Sequence, residues 1–161
     1  MQRFNNILFF SPGLTDETEA LKQALSIARN NNAELTVLII HPNFSDEMAD
    51  YAENYEALLT EHAHKSINIT RDIIKVSESD VKISVVVEGN NRPVELIVRY
   101  VLKNGYDLLI KDAEPKEGGI GFKSLDMDLL RKCPCPIWLC RPINKHRDKI
   151  RIAVAIDAES A

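Results

Sequence analysis

Three groups of side chains in this 161-residue chain have types and spacings suited to chemistry. The first is Gly118-Gly119-Ile120-Gly121-Phe122-Lys123-Ser124, where glycine-freed N–H groups, a lysine and a hydroxyl suggest a phosphate cradle. A phosphate-binding loop of that type needs Gly directly before the Lys and again five residues earlier, and Phe122 and Glu117 stand there instead. What remains is a weak anion site near Gly121, Lys123 and Ser124 at a helix start, weighed against a plain surface loop. The second group is Cys133-Pro134-Cys135 with Cys140, which invites a soft-metal or redox reading. No second pair stands at zinc-ligand spacing, and Cys on the approach to a buried strand commonly serves as a small apolar residue. Reduced, packed thiols are therefore expected, and no metal site. The third group is His62 and His64; two apart on a helix they point about 160° away from each other and cannot share one metal. His62 is expected near the core boundary and His64 in solvent. No nucleophile elbow is present, and the carboxylates read as solvated helix faces, so hydrolytic chemistry has no clear carrier and an enzyme is not expected, a weak ATPase being the alternative.

The composition sets bounds on function. Hydrophobic residues make up 45% and charged residues 27%, which places the chain among globular proteins. A net charge of −4 offers no general attraction to nucleic acid or anionic membrane. Lys145, His146, Arg147 and Lys149 form a short basic run without interleaved aromatics, a linker rather than a nucleic-acid contact. The longest apolar run, Ile152 to Ile156, is far below the roughly 20 residues of a spanning helix, and no secretory segment opens the chain. A cytoplasmic protein with no membrane partner is expected, in which the Asn68-Ile69-Thr70 glycosylation sequon has no consequence.

The elements that must position these groups follow from periodicity. Asn6 to Phe10 and Glu34 to Ile40 read as strands buried on both faces, separated by a helix carrying Leu21, Ala24, Leu25 and Ala28, capped by an Asp16–Glu19 pair and ended by Asn30–Asn32. Met48, Tyr51, Tyr55, Leu58, His62, Ile69, Ile73 and Val76 recur at helical spacing and predict one helix of about eight turns. Val81 to Val87 reads as a third strand. A helix opened by Pro93 and stopped at Asn104-Gly105 follows, then a strand at Asp107 to Ile110, a helix capped by Ser124, and a strand at Ile137 to Cys140. Strict alternation implies an α/β fold: a doubly wound, five-stranded parallel sheet with helices on both faces. Ligands in such sheets bind beyond the strands' carboxyl ends, here the loops at Ser11-Pro12, Ile40-His41, Gly89–Asn91 and Asp112–Ser124.

The C-terminal residues read as a separate unit. Residues 1–142 form the domain, 143–149 a linker, and 150–161 a fresh strand ending at Asp157, as if the first strand were repeated at the start of a second, truncated domain. Residues 150–157 are expected to lack order or to borrow the sheet edge of a neighbouring chain.

The Gly89–Pro93 turn, Asp107-Leu108-Leu109-Ile110 and the ending Leu129-Leu130-Arg131-Lys132-Cys133-Pro134-Cys135-Pro136-Ile137-Trp138 resemble a universal stress protein domain over about residues 4–142, closest to the first half of the tandem type. The resemblance implies a stress-response role and pairing with a second such domain of the same chain, or with another copy, as a pseudo-dimer or homodimer through the fifth strands. Ile137, Trp138 and Leu139 would then form the interface. It also implies ATP binding in some members, through an Asp ending the first strand and Gly-x-x-Gly, nine residues, then Gly-Ser or Gly-Thr. Here Ser11 or Pro12 stands for the Asp, Asp112 and Pro115 for the paired glycines, and Lys123 for the third, with a spacer two residues short; Ser124 alone matches. The nucleotide candidates Ser11, Gly121, Lys123 and Ser124 thus belong to a degenerate motif, and ATP is disfavoured. A nucleotide-binding module, or a pocket for another small ligand, is the alternative.

Overall fold

Six strands form one sheet in the order β3-β2-β1-β4-β5-β6 in the computed structural model, which describes residues 4–113 and 125–140 and the backbone of 152–155. The strands are β1 (Asn6–Ser11), β2 (Glu34–His41), β3 (Ile83–Gly89), β4 (Leu108–Asp112), β5 (Ile137–Cys140) and β6 (Ile152–Ala155). Strands β1 to β5 are parallel, with Ile7 opposite Leu35 on one side and Leu108 on the other. The helices are α1 (Thr18–Asn31), α2 (Ala52–Ile74), α3 (Pro93–Asn104) and α4 (Leu125–Lys132), with a 3-10 segment at Asp46–Tyr51. The central strands read as continuous apolar runs because helices cover both faces. Ile7, Phe9, Val37 and Ile110 pack with Ala24, Leu25, Leu59 and Ile67 of α1 and α2. Leu8, Phe10, Leu38 and Leu109 pack with Ile97, Val101 and Leu129 of α3 and α4. The doubly wound expectation holds in full for the five parallel strands. Among the described residues no helix is long and apolar enough to cross a membrane.

Three expectations are corrected. The N-terminus of α1 is held by Asp16, whose carboxylate accepts from the Thr18 N–H (3.1 Å) and hydroxyl (2.7 Å); Glu19 turns away to Lys22. The long helix begins later than predicted and buries a different stripe. Leu59, Ala63, Ile67 and Thr70 face the sheet, while Met48, Tyr51, Leu58, Ile69 and Ile73 are exposed. Adjacent Leu58 and Leu59 leave the register open by one residue, and the buried stripe hides behind a small Ala63 and a Thr70 whose hydroxyl donates to the Ser66 carbonyl (2.7 Å). Finally, Ile152–Ala155 is a strand of this chain's own sheet, antiparallel to β5, rather than unordered or on a neighbour's edge. The edge of β5 supplies the unpaired backbone groups, and an apolar strand of equal length satisfies them.

Candidate functional site

The winding reverses between β1 and β4, with α1 and α4 on opposite faces of the sheet, which makes the carboxyl ends of these two strands the place where such sheets form a ligand crevice. Ser11 closes β1 on the same face as Ile7 and Phe9, and is 4% exposed. Gly13 follows with φ +131°, a conformation side chains rarely adopt, and a Cβ there would press to 3.3 Å from Leu59 Cδ2. This turn brings Glu17 back over the strand end. The Ser11 hydroxyl donates to Glu17 Oε1 (2.5 Å) and accepts from the Gly13 N–H (3.2 Å), while the Thr15 hydroxyl donates to the same Glu17 oxygen (3.0 Å).

Glu17 is 8% exposed, and its Oε2 is buried without a hydrogen-bond partner among the described residues. Burial, with Asp112 adding to it, raises its pKa to about 7 against the lowering effect of the Ser11 and Thr15 hydrogen bonds and of Lys111. Ser11, Thr15 and Glu17 line a cavity of about 20 Å³ with His62 and Ser66 of α2, room for a single water.

Across the crevice, Asp112 ends β4 half-buried. Burial pushes its carboxyl up to about 6, with Asp16, Asp126 and Glu19 adding in the same direction and Lys111 opposing. Lys111, 3% exposed, points to the other face, where its ammonium pairs with Asp126 and donates to the Asp112 carbonyl (2.6 Å). Asp126 lies in the first turn of α4, where the helix dipole favours a carboxylate. Among the described residues the switch point is acidic, with Asp16, Glu17 and Asp112 on one side, Glu19 paired to Lys22, and Lys111 paired to Asp126.

The loops beyond β2 and β3 hold each other. His41 is buried with Nδ1 2.8 Å from the Pro42 carbonyl and Nε2 3.2 Å from Glu56 Oε2, its ring 5.5 Å from those of Phe44 and Tyr55. A Cβ on Gly89 would meet His41 Cε1 at 3.0 Å and Asn43 Oδ1 at 3.1 Å, so a side chain there would push on the His41 ring. Asn91 accepts from the Asn43 N–H (2.8 Å), and the Asn90 N–H donates to the His41 carbonyl (2.9 Å). Of the two remaining histidines on α2, His62 is partly buried and His64 exposed. No cluster of metal-ligating side chains occurs among the described residues.

Of the sequence candidates, Ser11 stands at the crevice, but its hydroxyl is committed to Glu17. Gly121, Lys123 and Ser124 lie outside the described residues, as does the proposed Ser124 cap. Ile137, Trp138 and Leu139 form β5, where Trp138 stands opposite Val154 of β6, so this chain's own strand occupies the edge expected to meet a partner. Glu17, the Lys111–Asp126 pair and the His41–Glu56 pair escaped sequence reasoning. Glu17 is one acid among Asp16, Glu17 and Glu19, and only the Gly13 turn distinguishes it.

The sequence pattern of the Universal stress protein family matches residues 3–141. Universal stress protein E of Photorhabdus laumondii is 27% identical over 167 residues, a match covering the whole chain and 53% of that protein. The chain spans about half the length of the curated relatives it matches. Among solved structures, universal stress protein UspA from Lactobacillus plantarum is similar with a TM-score of 0.62 at 17% identity, over 86% of this chain and 99% of that one. The universal stress protein from Archaeoglobus fulgidus in complex with dAMP gives a TM-score of 0.53 at 19% identity, over 83% and 95%.

Proposed function

This chain belongs to the universal stress protein family, and from that premise we propose that it is a cytoplasmic, non-enzymatic stress-response domain that holds no triphosphate and acts by pairing with a second domain or copy. The acidic switch point is the observation that carries this reading. Asp112, with its pKa near 6, is mostly ionised at neutral pH, and Glu17 is about half ionised. A carboxylate about 4 Å from a phosphate oxygen costs about 4 kcal/mol near a protein surface, more than the roughly 1 kcal/mol that a helix N-terminus returns to an anion. Lys111 offsets this only in part, because its ammonium is paired with Asp126. Pairing at the β5 end of the sheet, through Ile137, Trp138 and Leu139, is supported by the relatives' double length and by the acceptance of an antiparallel strand at that edge. A partner strand meeting these residues would take the place of β6.

The test is calorimetric titration of the chain with ATP and, separately, with dAMP. We expect no saturable heat with ATP at about neutral pH. Saturable ATP binding would overturn the reading and favour the alternative of a nucleotide-binding module; binding of dAMP alone would confine the exclusion to the triphosphate.

A further inference from the structure

Cys133 and Cys135 hold their two sulfurs in direct contact across Pro134. Cys133 follows α4, with its N–H donating to the Leu129 carbonyl (2.8 Å). Pro134 fixes the backbone between the two cysteines, and their sulfurs stand 3.6 Å apart, a thiol hydrogen bond. Residues two apart have Cα atoms at most about 7 Å from each other, near the upper end of what a disulfide spans. Cys133 is 7% exposed and Cys135 partly exposed, so a small reagent reaches the pair along Cys135. The Cys135 hydrogen bond holds the Cys133 thiol below the ordinary thiol range, against burial, while Cys135 itself is raised. Cys140 makes no part of this arrangement; burial holds its thiol protonated, with a pKa of about 12.

We infer that Cys133 and Cys135 form an oxidisable dithiol, a modification site at which a hydroperoxide closes a disulfide across Pro134. The Cys133 thiolate attacks the terminal peroxide oxygen; the O–O bond breaks, and the alkoxide leaves with the thiol's proton as an alcohol, giving a sulfenic acid. The Cys135 sulfur then attacks the sulfenic sulfur, the S–S bond forms, and the hydroxyl leaves with the Cys135 proton as water. Two thiols and one hydroperoxide give one disulfide, one alcohol and one water. The bond fixes the segment joining α4 to β5, beside the Pro136 carbonyl that accepts the Leu109 N–H (3.0 Å).

The experiment treats the folded 161-residue chain with hydrogen peroxide and reads intact mass and a peptide map. The expected result is loss of two hydrogens, mapped to a Cys133–Cys135 bond and reversed by dithiothreitol. C140S should retain the loss, and C133S or C135S should abolish it. Should a serine variant not fold, phenylarsine oxide on the parent decides: it bridges two thiols with release of water and should shield Cys133 and Cys135 from alkylation. A bond that includes Cys140, interchain disulfides alone, sulfinic acid without a disulfide, or no shielding by the arsenical would overturn the inference.

Discussion

Replacing Glu17 by Gln should abolish a fall in stability with pH that the native side chain imposes. The folded pKa is about 7 against an ordinary 4.5, because the carboxylate loses water and faces Asp112. An acid with a raised folded pKa binds its proton more tightly in the native than in the unfolded state. Its contribution is therefore intact below about pH 4.5, declines as the unfolded chain ionises, and levels off above about pH 7. A shift of about 2.5 units at 1.36 kcal/mol per unit gives about 3 kcal/mol as the ceiling. Gln mimics the neutral acid: its oxygen can accept from Ser11 and Thr15, and its amide group takes the place of an oxygen that already has no partner among the described residues. Asp112, which titrates near 6, is present in both proteins and cancels to first order. Urea unfolding at about pH 4 and about pH 8 is the assay. The variant should match the parent at the lower pH and exceed it by up to about 3 kcal/mol at the higher one. A difference that is the same at both values, or that favours the parent at high pH, would refute the assignment of a buried, proton-retaining Glu17.

The Lys111→Met variant leaves Asp126 buried without its ammonium partner and should lose about 3–5 kcal/mol in denaturant melts, while K111M combined with D126L should lose less. Equal losses would mean that Asp126, once deprived of Lys111, carries no penalty of its own. Leu59→Ala should cost about 2–5 kcal/mol and Leu58→Ala under about 0.5, since only Leu59 is buried; the reverse order in thermal or chemical unfolding would restore the stripe that periodicity alone suggested.

The parallel sheet was legible because its evidence is local and redundant. Apolar runs ended by Ser11-Pro12, His41-Pro42 and Asn104-Gly105 locate strand and helix ends, and Asn32 and Gly105 stop their helices in the left-handed conformation that those residue types tolerate. The face of α2 was not legible, since large apolar residues populate both sides of it and Ala63 and Thr70 carry little hydrophobic signal. Nor was the place of β6, because an isolated apolar strand states only that it needs an edge and not which edge it takes. The site was half legible. Asp112 and Pro115 already argued against a phosphate cradle, whereas the depth of Glu17 depends on a single turn at Gly13 that inverts the chain over β1.

That turn links the site's chemistry to the fold's stability. Asp112 ionises first, near 6, so Glu17 is asked to ionise against an existing charge as well as against burial. The Ser11 and Thr15 hydrogen bonds oppose this, but both fall on Oε1, and neither reaches Oε2. A water in the adjoining 20 Å³ cavity, which Glu17 lines with Ser66 and His62, would lower the penalty of burial without removing the repulsion from Asp112. The two carboxylates thus act together twice. They are the grounds on which we propose that the strand ends exclude a triphosphate, and they should leave the loop between β1 and α1 more weakly held as pH rises.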